Sequence, residues 1–83
     1  MSQRREQLIA HRKKLNLTQK GVVDLLDKQH DIVITESYYG MIEQGVRTPK
    51  LSIAFAIASL FEANPNDIFF EQQPNKKLGK NTA

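Results

Sequence analysis

The chain has no cysteine and no tryptophan, and aromatic residues make up only 7% of it. Without thiols, neither a disulfide framework nor a thiolate metal site can form, and a reducing cytoplasm is the natural setting. No apolar run approaches the roughly 18 residues needed to span a bilayer. The opening "MSQRREQLIA" lacks the apolar centre of a secretory leader. His11 and His30 have no cysteine or paired carboxylate at metal-ligand spacing and read as surface residues. The four glycines are scattered, so no phosphate-cradling loop is present. No nucleophile stands with a base at a telling spacing. No metal, cofactor or small-molecule ligand is implied, and enzymatic function is not expected.

What is present fits one small helical domain. The 83 residues are 40% apolar and 25% charged, an ordinary globular balance. A chain of this size has a thin core, burying roughly 60% of its unfolded surface. The formal net charge of +3 is unevenly spread. Residues 1–20 carry Arg4, Arg5, Arg12, Lys13, Lys14 and Lys20 against Glu6, while the stretch 21–70 is net acidic. Basic ends can serve solubility alone, so charge by itself argues only weakly for a nucleic-acid partner.

Periodicity and capping residues outline five helices and no clear strand. Leu8, Arg12 and Leu15 share one face of "RREQLIAHRKKL". Thr18 is a good N-cap for "QKGVVDLLDKQ", whose Val22, Leu25 and Leu26 form an apolar face. The run "HDIVI" is too short to assign, and the conformation of 27–34 stays open. Thr35 is a second N-cap, with Glu36 near the positive helix end. Gly45 closes that helix as a residue able to take positive φ. "SIAFAIASLFEA" places Ile53, Ala56, Ile57, Leu60 and Phe61 at buried-helix spacing. Asn64 caps a last short helix with Pro65 at its first position. Residues 1–70 are expected to form the domain, and the polar stretch 71–83 a flexible tail.

Thr18-Gln19 opens one helix, "IEQG" closes the next, and "RTP" precedes a helix containing Ile-Ala-x-x-Phe. In this arrangement, from about Leu8 to Phe69, the chain resembles the phage repressor and Cro-type, or XRE, helix-turn-helix family. The resemblance implies an all-α, compact five-helix bundle of the lambda-repressor-like type. It also implies a sequence-specific DNA-binding regulator, most simply a repressor acting by operator occupancy as a homodimer on double-stranded DNA. The base-reading helix would be Thr35–Gln44, anchored by Tyr39 and Ile42. Glu36, Ser37, Tyr38, Gly40 and Met41 would face or flank the major groove. Thr18, Gln19, Arg47, Thr48 and Lys50 would contact the sugar-phosphate backbone, setting register without reading sequence. Gly40, costly mid-helix by about 1 kcal/mol relative to alanine, would let the backbone approach DNA closely. Alternatively, it admits a bulky neighbour such as Val23.

The family commonly pairs an arginine with a glutamate at the positions of Arg12 and Glu43, so a structural ion pair is expected there. The competing reading leaves Arg12 extended into solvent. Three departures from the family pattern stand out: the long 27–34 link, the missing turn glycine, and Val23 where a small residue is usual. A different class of function also fits the scaffold, a protein-interaction module of antitoxin or adaptor kind. The apolar end "IFF" offers a dimer surface, or else only completes the core.

Overall fold

The computed structural model describes residues 3–70, so the expected tail at 71–83 lies outside the described residues. Five helical elements follow one another: α1 (Glu6–Lys14), α2 (Gln19–His30), α3 (Glu36–Gln44), α4 (Leu51–Leu60) and a final turn α5 (Asn66–Phe70). No strand occurs among the described residues. α2 packs on both α3 and α4, while α1 lies against α3 and α5. Leu8, Val22, Leu26, Tyr39, Ile42 and Ile57 are fully enclosed and tie the helices into one core.

Local chemistry explains the boundaries. The Thr18 hydroxyl accepts the Gly21 amide at 2.9 Å and so caps α2. The stretch 27–34 divides in two. Its first half is the last turn of α2, and Asp31 then takes a left-handed backbone with φ 55°. Aspartate tolerates that region better than most residues, which is how the chain manages without a turn glycine. Amides of Asp31 and Ile32 return to the carbonyls of Asp27 and Leu26 and satisfy the helix end. Ile32 and Ile34 then pack on the core while Val33 stands 79% exposed between them.

Four sequence expectations change in detail. Leu15 does not continue the buried face begun by Leu8, because α1 ends at Lys14; the side chain is half exposed. Leu25 is half-buried, whereas Val22 and Leu26 are enclosed. α4 stops at Leu60 rather than Ala63, since Glu62 adopts φ 53° and the Ala63 amide folds back to the Ala58 carbonyl. His11 is half-buried and stacked on Phe61, with ring centroids 6.2 Å apart, and His30 is also half-buried.

Asn64 Oδ1 accepts the Asn66 amide at 2.9 Å, and α5 follows as a wide, π-type turn. It sets Ile68 and Phe69 in the core and leaves Phe70 at the surface.

Candidate nucleic-acid interface

α3 is fixed at both ends and along one side. Thr35 Oγ1 accepts the Tyr38 amide at 2.9 Å, and Gly45 ends the helix with φ 80°. Tyr39 and Ile42 are completely buried. At about 100° per residue, anchoring those two positions turns 37, 40, 41 and 44 away from the core and leaves 36 at the margin of that outward side. There the structure brings Glu36, Ser37, Gly40, Met41 and Gln44 together with Gln19 of α2 around one concavity. Glu36, Ser37 and Gln44 are exposed, and Gly40 and Met41 are half-buried. Tyr38 is not among the lining residues; it packs partly against the core.

Gln44 was not singled out from the sequence. Its signal was its place four residues after Gly40, on the same helical face. The neighbour at Gly40 is likewise not Val23. A Cβ there would meet Gln19, with Oε1 nearest at 3.4 Å, an ordinary van der Waals distance.

Behind this face lies a buried polar network. Arg12 donates through Nε to Glu43 Oε2 at 2.6 Å and through Nη2 to Oε1 at 3.1 Å. Its remaining Nη1 donates to the Leu17 carbonyl at 2.9 Å. The guanidinium fork thus joins α1, the link that leads into α2 and the end of α3. Such bidentate, charge-assisted bonds are stronger than neutral ones and fix geometry. Gln19 Nε2 donates to Glu43 Oε1 at 2.9 Å. The two charged side chains are only 12% and 4% exposed.

Burial alone raises the pKa of Glu43, but hydrogen bonds from Arg12 and Gln19 outweigh it and hold the carboxyl below its ordinary value. The hydrogen bond to Glu43 likewise raises Arg12, against the opposing effect of burial. The Tyr39 hydroxyl, enclosed beside this pair, is raised by burial and then by the Glu43 charge.

Arg5, one of the N-terminal cations in the sequence, has a specific tertiary role. Its Nη1 donates to the carbonyls of Ile42 at 2.7 Å and Arg47 at 3.1 Å, and its amide donates to the Glu43 carbonyl at 2.8 Å. Its guanidinium stands 5.4 Å from the centre of the Phe69 ring. α3 has no basic residue in its own last turn, so Arg5 supplies the cation that a helix C-terminus favours. No periodicity connects residue 5 to residue 42, so only the fold reveals this contact.

On the flanks, Thr18, Arg47, Thr48 and Lys50 are all exposed, while Pro49 is buried and pins the loop between α3 and α4. The Thr18 hydroxyl accepts the Gly21 amide in its cap and keeps its own proton to donate. No group of three or more His, Asp or Glu among the described residues is placed to hold a metal ion. No helix among them is long and apolar enough to cross a membrane.

Among the described residues, five helices with a capped, core-anchored α3 following α2 define a helix-turn-helix architecture. A helix-turn-helix family model matches residues 8–68, most of the chain, and the protein belongs to that XRE-type family of DNA-binding transcription regulators. No curated protein and no solved structure matches it.

Proposed function

We propose that the protein is a sequence-specific, cytoplasmic transcriptional repressor without enzymatic activity, acting by occupying an operator as a homodimer. The observation that carries this reading is the outward side of α3. Its glycine-bearing face is open and lined by side chains able to complement base edges, while Tyr39 and Ile42 hold the opposite face in the core. Glu36 can accept from a cytosine amino group, Ser37 can pair with several base edges, and Met41 can meet a thymine methyl. Tyr38 flanks the helix. Thr18 and Gln19 at one end, with Arg47, Thr48 and Lys50 at the other, bracket it with groups suited to phosphates. Leu51 and Phe55, one turn apart on α4 and 59% and 51% exposed, supply an apolar face for the second copy, with Phe70 nearby in sequence to the core-filling Phe69.

Selection of bound fragments from a random-sequence duplex library, repeated at two salt concentrations, tests this reading. A palindromic motif whose affinity falls steeply with salt is the expected result. Lys50→Ala should weaken binding to all sequences and lower the salt slope by about 1. Ser37→Ala should instead alter preference among sequences. Affinity with no sequence preference, unchanged by either substitution, would favour an interaction module on the same scaffold.

Gly40 allows a second, separable test. Alanine fits beside Gln19 without displacing backbone, and its better helix propensity should stabilise α3 by up to about 1 kcal/mol. If the backbone at this point approaches DNA, Gly40→Ala should raise the melting temperature while weakening operator binding, by roughly tenfold on the scale of one lost base contact. Thermal melts and titrations on one preparation measure both. Unchanged affinity would remove Gly40 from the interface.

A further inference from the structure

The side-chain amide of Gln19 is oriented by a partner that can only accept. Its Nε2 lies 2.9 Å from Glu43 Oε1. A carboxylate held ionised by Arg12 offers no proton, so the NH2 side of the amide must face it. The carbonyl oxygen is thereby turned the other way, toward Gly40. It is the nearest side-chain atom to the space a Cβ would fill there. One amide hydrogen is used on Glu43, and no described residue bonds the other hydrogen or Oε1. Both belong to a side chain that lines the α3 concavity beside Glu36, Ser37 and Met41.

One acceptor and one donor on a rigid planar amide form a specific pattern. Adenine complements it in the major groove, its N6 amino group donating to the carbonyl and its N7 accepting from the amide. We propose that Gln19, although it belongs to α2, reads an adenine across the gap left by Gly40, with Glu43 acting as the positioning residue. This assignment rests on the DNA-regulator reading and changes the part Gln19 plays in it, from phosphate contact to base contact. Gly40 then has a reason besides backbone approach, since a larger residue there would cover the Gln19 carbonyl. Arg12 and Glu43 likewise acquire a role beyond stability, because they set which edge of the amide faces outward.

The test compares the motif selected from a random-sequence duplex library by the wild-type chain with those selected by Gln19→Ala and by Gln19→Met, which keeps the side-chain volume. The expected result is a wild-type adenine position whose preference disappears in either variant while the other positions persist. Replacing that adenine by 7-deazaadenine, which lacks the N7 acceptor, should lower wild-type affinity by roughly 5- to 100-fold. The same replacement should leave the variants unchanged. A motif identical in wild type and variants, or a uniform loss across all sequences, overturns the assignment and leaves the regulator reading intact. Absence of any motif from the wild-type chain overturns the regulator reading itself, and this inference with it.

Discussion

Arg12→Ala should lower stability by about 3–5 kcal/mol, the cost of removing one partner from a buried ion pair. In a domain of this size that corresponds to a fall in melting temperature of more than about 12 °C. The magnitude follows from what remains: a Glu43 carboxylate only 4% exposed, left without its cation and with only neutral groups, the Gln19 amide and the enclosed Tyr39 hydroxyl, beside it. The Leu17 carbonyl also loses its guanidinium donor. The effect should depend on pH with a definite sign. In the wild type the folded Glu43 pKa is depressed. Its contribution is therefore fully present above the unfolded value of about 4.5 and lost as pH falls through the folded one. In the variant, an unpaired buried carboxyl is pushed upward instead, so its penalty is relieved by protonation as pH falls. The gap between wild type and variant should thus narrow from pH 7 toward pH 4. Replacing both partners by apolar residues, Arg12→Met with Glu43→Leu, should recover most of the loss. Denaturant melts at the two pH values measure all of this. A single variant as stable as the wild type at pH 7 would mean that the pair contributes nothing to the fold.

That double variant also separates folding from recognition. It keeps a packed junction between α1 and α3 but no longer orients the Gln19 amide. Restored stability with altered base preference would show that the network serves the interface as well as the core. Restored stability with unaltered preference would assign it to the core alone.

The parts of the fold legible in the sequence were those governed by short-range rules. Thr18 and Thr35 cap helices because their hydroxyls reach amides three residues away. Tyr39 and Ile42 are buried because they stand three residues apart on one helical face, with Gly40 and Met41 turned away from it. The Arg12–Glu43 contact came into view only through the family resemblance, since nothing local joins residue 12 to residue 43. Other residues owe their roles to tertiary neighbours. Arg5 gains its function from the carbonyl end of α3, and Gln44 from a face whose orientation depends on the core. Asp31 replaced the expected turn glycine without a sequence signal, because a left-handed aspartate looks like any other surface acid. Gly40 was recognised as anomalous, but its neighbour could be named only once α2 was placed against α3.

Gly45→Ala should cost at least about 2 kcal/mol, and its effect should reach the far end of the chain. Two independent penalties combine. The backbone at Gly45 has φ 80°, a conformation that costs an L-residue roughly 1–2 kcal/mol. A Cβ there would also overlap the Gln3 carbonyl oxygen and stand 2.7 Å from its carbon. Those are backbone atoms, so no rotamer change relieves the overlap; the segment before α1 must move. Moving it pulls on Arg5, whose amide and guanidinium hold the carbonyls of Ile42, Glu43 and Arg47. The C-terminal end of α3 would lose its cation and three hydrogen bonds in the same displacement. Hydrogen exchange is the discriminating measurement. Faster exchange at the Arg5 amide, together with a lower denaturation midpoint, is expected. If the midpoint falls while Arg5 stays protected, the backbone angle alone carries the cost and the Gln3 contact yields freely. If neither changes, the close approach of the N-terminal segment to α3 is not part of the folded state in solution.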